Sequence, residues 1–298
     1  MVIGIEKELG SLVSSRVERD VYLAPYTTFG VGGRSQYFCL VKSRVDLHTL
    51  LRWHREFNLP LLTIGNGSNL LIREEGFPGL TIRLGGELRD LRCERKRIIA
   101  CGGVSLARLL EEARMNSLSG LEALSGIPGT VGGAVVMNAG TAHGRVGDCM
   151  AKVELMDGEG VRTFLREDLE FSYRRSSINP DREVVVEVEF NLKEKEKNEI
   201  GQTMKMYLEE KRESQPLNMP SAGCVFKNPP GGSASKLIDE AGLKGLRRGG
   251  AQVSPRHANF IVNTGGATPD DILYLIHTIQ GKVYQKFGVF LHLEIKIV

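Results

Sequence analysis

No run of this sequence approaches the 18 uncharged apolar residues of a membrane span. Its five cysteines, Cys39, Cys93, Cys101, Cys149 and Cys224, include no CxxC pair. An odd, scattered set of thiols argues against a disulfide framework or a zinc site. The start, MVIGIEKELGSLVSSRVERD, is charged from Glu6 onward and lacks the apolar core of a signal peptide. A soluble, reduced, cytoplasmic protein is expected. Charge of one sign is scarce as well: 39 Lys and Arg against 36 Asp and Glu leave a net +3, which argues against a nucleic-acid coat or a polybasic membrane binder. The six histidines show no HExxH or comparable spacing, so no metal is expected. There is no internal repeat and no low-complexity tract. With 41% hydrophobic and 25% charged residues the balance is globular, and 298 residues suggest two or three domains.

Glycine is what the chain has in excess: 35 residues, about 12% against an average near 7%. With no collagen period, these glycines serve turns and close backbone approaches. Two segments concentrate them, IGNGSNLLI (64–72) and GIPGTVGGAVVMNAG (126–140). Successive N–H groups in such turns form concave anion sites, so either loop is a candidate pyrophosphate cradle. Neither is the dinucleotide fingerprint, because Leu70 stands where a third glycine would follow Gly65 and Gly67, and no GxxxxGK[ST] occurs. One loop alone reads as a tight turn between strands. Two together point to a nucleotide-type ligand.

Periodicity supplies the elements. Residues 44–57 read as a helix with Leu47, Leu50 and Leu51 on one face. Strand signals follow at 59–64, 69–73, 79–84 and 96–101. A helix at 105–116 takes Ser105 as N-cap and buries Leu106, Leu109, Leu110 and Ala113. Residues 152–156 and 161–165 read as a hairpin turning at Asp157-Gly158. In VVEVEFNL (185–192), Val186, Val188, Phe190 and Leu192 take one side, and Glu187, Glu189 and Asn191 the other. The run KEKEKNE (193–199) is the best boundary, a solvated linker or the exposed start of a helix. Helices are expected at 200–213, 235–241 and 268–287. The last has Thr268 as N-cap, Pro269 at N1, Asp270 and Asp271 on the positive end, and a stripe of Ile272, Leu275, Ile276, Ile279 and Val283. A final strand, VFLHLEIKIV, turns His292, Glu294 and Lys296 to one face.

In chain order stand TTFGVGG (27–33), GNGSNLL (65–71), IPGTVGGAVVMNAG (127–140), SYRRS (172–176), AGCVFKNP (222–229), KLIDEAGLKG (236–245) and GGAQVSPRHANFIVN (249–263). Together these resemble the UDP-N-acetylenolpyruvoylglucosamine reductase family, flavoenzymes of peptidoglycan synthesis, from about Thr27 to Glu294. The resemblance implies an α+β fold: a two-lobed FAD-binding region of the vanillyl-alcohol-oxidase type, 1–86 and 87–192, plus a C-terminal α/β substrate domain, 200–298. It implies that NADPH reduces FAD, and that hydride then reaches C3 and a proton C2 of the enolpyruvyl group of a UDP-sugar. The family's pathway is tied to cell shape and division, and a monomer with no nucleic-acid or membrane partner is expected.

That chemistry creates negative charge beside a carboxylate, which calls for an aimed cation or hydrogen-bond donor and for an acid able to protonate carbon. By resemblance Arg174 and Glu294 stabilise the charge and Cys224 gives the proton. Many relatives carry Ser where Cys224 stands, and a thiol, with pKa about 8.5, is the stronger acid. Spacing alone does not separate Arg174 from Arg175; the SYR match selects Arg174. The resemblance assigns FAD to Gly32, Gly33, Gly65, Asn66, Gly67, Ser68, Asn69, Leu70, Ile127, Pro128, Gly129, Gly132, Gly133, Asn138, Ala139 and Gly140, and the substrate to Lys227, Asn228 and Gln252. The HANF context of His257 is read as structural. Three departures stand out. Gly30 replaces a common basic residue, Ala142-His143-Gly144 replaces a Tyr-Gly pair, and the stretch from Arg175 to Val184 lacks the inserted tyrosine loop of one family branch. Two alternatives fit the glycine loops alone: another flavoenzyme of the same fold, or a non-catalytic nucleotide-binding module.

Overall fold

The computed structural model describes residues 13–298, so the extreme start, on which the absence of a leader was argued, lies outside the described residues. The chain divides into two compact units. The first holds the described residues up to Val21, with Ser35–Asn66 and Pro78–Leu208. The second holds Tyr22–Arg34, Gly67–Phe77 and Glu209–Val298.

The first unit is built on two larger sheets. One orders the strands Val17–Tyr22, Arg34–Val41, Phe77–Leu84 and Leu61–Thr63, the last two parallel. Helix α1 (Arg44–Glu56) buries Leu47, Leu50, Leu51 and Trp53 in the core of this sheet. Its N-cap is Ser43, whose hydroxyl accepts from Asp46 N at 3.1 Å. The carboxylate of Asp46 in turn receives the amides and hydroxyls of Ser14 and Ser15, which fastens the first described residues to the helix. The other sheet is antiparallel and five-stranded, in the order Gly160–Leu165, Met150–Asp157, Val184–Asn191, Arg97–Cys101, Leu91–Glu94. Helix α2 (Leu106–Met115) covers it, capped by Ser105 and burying the four predicted positions.

On the central strand the two glutamates share one face as expected, each only 11–12% exposed and held from two sides. Glu187 meets Arg44 and Arg92, and Glu189 meets Arg97 and Lys152. The apolar side departs from strict alternation. A register shift between Glu154 and Leu155 moves Val185 into the core with Val188 and Phe190, and turns Val186 toward the first sheet's core beside Met156 and Val184. A β-bulge adds one residue to one strand, so the side-chain period slips by one. The hairpin turns on Gly158-Glu159 rather than Asp157-Gly158, because Asp157 still pairs with Gly160 and accepts from the amides of Glu159 and Gly160.

Two more helices belong here. α3 (Val131–Val136) leaves the second glycine loop, and α4 (Lys197–Ser214) belongs to this unit as far as Leu208. The charged boundary run is the exposed start of a helix and not a linker: α4 begins at Lys197, and ahead of it Lys193–Glu194 pairs with Leu118–Ser119, since main-chain pairing needs no apolar side chain.

In the second unit, α5 (Ala234–Glu240) and α6 (Pro269–Phe287) pack with the strands Ala251–Val253 and Ile261–Asn263 around a core that includes Phe226, Ile272, Leu275, Ile276 and Ile279. Thr268 and Asp271 form the reciprocal capping box of α6, and Gly288 ends the helix at φ +69°. The final strand is shorter than its alternation suggests. Lys296–Ile297 pairs in parallel with Leu70–Leu71, and Leu293 forms a single bridge to Phe226.

Candidate active site

In the first unit residues 64–66 of the first glycine loop lie against the second loop. A Cβ on Gly65 would sit 2.4 Å from Oγ1 of Thr130, and the side chain of Asn66 donates to the carbonyl of Gly129 at 3.3 Å. Thr130 is the N-cap of α3 and accepts from Gly133 N at 3.4 Å. The second loop is therefore no nest of open amides. Gly129 N is bonded to Ile127 O, Val131 N to Val104 O, and Gly132 N to Gly102 O. Its glycines serve close approach instead, as where the missing side chain of Gly132 lets α3 cross the main chain of Gly102, 3.2 Å from the built Cβ. The first loop differs, for the amides of Gly65 and Asn66 have no acceptor among the described residues. A run of open amides beside a surface without side chains fits a pyrophosphate group.

Beyond α3, Asn138, Ala139 and Gly140 lead into a small hairpin, Gly140–Thr141 with Gly144–Arg145. Asn138 is almost fully buried, with φ +44°. Its Nδ2 donates to Ser172 O at 2.9 Å and its Oδ1 accepts from Gly147 N at 3.4 Å, so both side-chain atoms are bound to protein. At the departure noted at residues 142–144, His143 stacks on Tyr207 of α4, with ring centroids 3.9 Å apart. Arg174 lies in the two-residue turn between Phe171–Ser172 and Arg175–Ser176, at φ +56°. Its guanidinium lies 5.2 Å from the Tyr173 ring centroid, while Arg175 is an exposed strand residue.

In the second unit, Cys224 follows Gly223 at φ +74° and is half-buried. It bridges to Phe260, and Val225 O accepts the amide of Glu294 at 2.8 Å. The strand after Cys224 thus runs beside the strand of Glu294. Asn69, in the same unit, donates its side-chain amide to the carbonyl of Glu294 at 3.2 Å and accepts the amide of Lys296 at 2.9 Å. Gly67 to Leu70 are by this means attached to the Glu294 strand. Gly67 lies where any side chain would strike Tyr26 O, 2.0 Å from the built Cβ. Gly33 is equally confined, against Glu74 O, and Gly32 has φ +143°.

The other four thiols are held neutral: burial pushes Cys39 and Cys149 up to about 12, and raises Cys93 and Cys101 as well. Lys227 is fixed through its amide to His292 O at 2.8 Å. Asn228 is exposed and accepts from Ala234 N through Oδ1. Both amide atoms of Gln252 are engaged, by Arg247 and by Gly245 O. Burial depresses the pKa of His257, whose ring meets Phe260 edge-on, matching its structural reading.

Three residues to which the motifs gave no role carry much of the geometry. Thr130 holds the glycine loops in register. Asn263 ties its Nδ2 to Phe29 O at 2.9 Å and holds TTFGVGG. Asn259 bonds the main chain beside Cys224. All three lie inside the quoted strings, but no local pattern separates a main-chain clamp from a surface amide.

A tightly packed glycine loop in the first unit suits a nucleotide-type cofactor, and residues 35–164 match the family described as FAD binding domain, which makes the chain a flavoprotein by class. Residues 215–298 match UDP-N-acetylenolpyruvoylglucosamine reductase, C-terminal domain. The reductase of that name from Heliobacterium modesticaldum is 41% identical over 278 residues, 93% of this chain and 88% of the relative. That of Synechococcus sp. (strain JA-3-3Ab) is 42% identical, covering 96% and 92%. A crystal structure of the Thermus caldophilus reductase superposes with TM-score 0.83 at 42% identity, covering 95% of this chain and 99% of that one. The chain belongs to the UDP-N-acetylenolpyruvoylglucosamine reductase family. Its α+β fold, with an FAD-binding region ahead of a distinct C-terminal domain, is the expected one. Among the described residues no helix is long and apolar enough to cross a membrane.

Proposed function

We propose that this chain reduces UDP-N-acetylglucosamine enolpyruvate to UDP-N-acetylmuramate with NADPH, in the cytoplasm and as a monomer. In this reading residues 1–86 and 87–192 are two lobes that hold FAD, and 200–298 hold the UDP-sugar. Bound FAD would supply the redox chemistry, the relay of hydride from NADPH to C3 of the enolpyruvyl group. The chain's own residues do the rest. The amides of Gly65 and Asn66 take the cofactor's diphosphate, and the side-chain-free surface of Gly129 and Gly133 admits it closely. Arg174 and Glu294 stabilise the negative charge that develops beside the substrate carboxylate. Cys224 gives its proton to C2. Asn228, whose Nδ2 has no acceptor among the described residues, donates to the substrate diphosphate with Lys227 beside it.

The observation that carries this reading is the hydrogen bond from Glu294 N to Val225 O, which sets the candidate proton donor Cys224 and the charge-stabilising Glu294 on adjoining strands of one unit. The test is optical. The purified protein should be yellow, NADPH should bleach it anaerobically, and the enolpyruvyl UDP-sugar should restore the colour. Colour returned by oxygen alone, with no effect of the sugar, means another flavoenzyme of this fold. A colourless protein that FAD does not reconstitute means a non-catalytic module.

A further inference from the structure

The NAG string groups Asn138 with the cofactor residues, yet its side chain is committed elsewhere. The hairpin that carries Arg174 has two residue pairs, Phe171 with Ser176 and Ser172 with Arg175. A hairpin that short has no stability of its own, so its position must come from what holds it. Two attachments do so, and they are symmetric about Arg174. Two residues before it, Ser172 O accepts from Asn138 Nδ2 at 2.9 Å. Two residues after it, the hydroxyl of Ser176 donates to Val136 O at 2.8 Å. Both partners lie at the C-terminal end of α3. The base of the hairpin is secured too: Arg166 covers the Phe171 ring at 4.4 Å and donates to Gly147 O, and Gly147 N donates back to Asn138. The other end of α3 is Thr130, against Gly65. Six helical residues thus separate the glycine cradle from the arginine turn.

We propose that Asn138, with Ser176, is a positioning residue that acts through Arg174 and not a cofactor ligand. It fixes the Tyr173-Arg174 turn to α3, so that the guanidinium is registered against the glycine loop. A cation that stabilises developing charge does so best when it needs no reorganisation, and a loose two-residue turn forfeits that. The inference rests on the role proposed for Arg174.

Asn138→Gly is the informative variant, because glycine accepts the left-handed backbone and only the amide is lost. FAD affinity and the rate of bleaching by NADPH should stay within about twofold of the unaltered protein. Reoxidation by saturating enolpyruvyl UDP-sugar should slow by about ten- to a hundredfold. In an Arg174→Ala background the same substitution should add nothing. Amide exchange over residues 171–176 should rise. Ser176→Ala gives the same comparisons if Asn138→Gly does not fold. Loss of FAD affinity in step with rate, equal slowing of both half-reactions, full additivity with Arg174→Ala, or unchanged exchange would each overturn the proposal. If the sugar does not reoxidise the unaltered protein, the proposed function fails, while the exchange measurement still decides whether Asn138 holds the hairpin.

Discussion

The side-chain amide of Asn259 pairs with both main-chain groups of Phe226, accepting its N–H at 2.9 Å and donating to its C=O at 2.8 Å. A side chain thereby replaces a neighbouring strand two residues from Cys224, and the carbonyl of Asn259 accepts Val225 N as well. Asn259→Ala should leave two buried groups unsatisfied and cost about 2–4 kcal/mol. Urea unfolding measures this. A cost under about 0.5 kcal/mol would mean that the strand is held by its other neighbours alone.

Cys224→Ala should leave bleaching by NADPH intact and slow reoxidation by the sugar at least about a hundredfold, the scale of a lost general acid. Cys224→Ser should keep appreciable activity. Stopped-flow measurement of the two half-reactions separates these outcomes, and equal loss in both would remove Cys224 from the proton step.

Arg174→Ala should cost more turnover than Arg175→Ala. The first lies in the turn against Tyr173, and the second is exposed on the strand. Steady-state kcat of the two variants decides it, and the reverse order would exchange their roles.

Gly65→Ala should weaken FAD binding, because the added methyl falls 2.4 Å from Oγ1 of buried Thr130 and the two loops must part. Overpacking of this kind costs about 1–3 kcal/mol. Fluorescence titration with FAD reads it directly, and unchanged affinity would mean that the loops separate freely.

Two groups should shape the acid limb of stability. Burial opposes ionisation of Asp46, but hydrogen bonds from Ser15 and Ser14 outweigh it and hold the carboxyl below its ordinary value. Its contribution is therefore present at neutral pH and lost as pH falls below about 4. Burial also depresses His257, so the unfolded chain takes up that proton first and stability declines from about pH 6.5 downward. His257→Gln should flatten the decline between about pH 6.5 and 5, whereas Asp46→Asn should lower stability at neutral pH and lose its effect in stronger acid. Urea midpoints across pH test both, and parallel curves for the unaltered protein and His257→Gln would refute the histidine assignment.

Much of the local structure was legible beforehand. The stripes of α1, α2 and α6 and the caps of α2 and α6 follow from interactions within four residues, and each helix appears within a residue or two of its expected bounds. The catalytic candidates were legible only through resemblance, since spacing could not choose between Arg174 and Arg175 and nothing local marks Glu294 among outward-facing strand residues. The amide work of Asn138 and Asn259 was not legible at all, for an asparagine in a glycine loop looks the same whether it binds a ligand or a carbonyl 34 residues away.

By itself, then, the sequence determined the bounds of α1, α2 and α6, which faces are apolar, and that the backbone must pass close to something twice, while α3 inside the second glycine loop was not foreseen. Those are matters of local hydrogen bonding and side-chain period. The fold alone decided that Gly65 meets Thr130, that Val185 and not Val186 joins the core of Val188, and that the strands after Cys224 and around Glu294 adjoin. Main-chain donors and acceptors are chemically alike at every residue, so partners distant in the chain are chosen by how the cores close and not by any sign carried on the residues themselves.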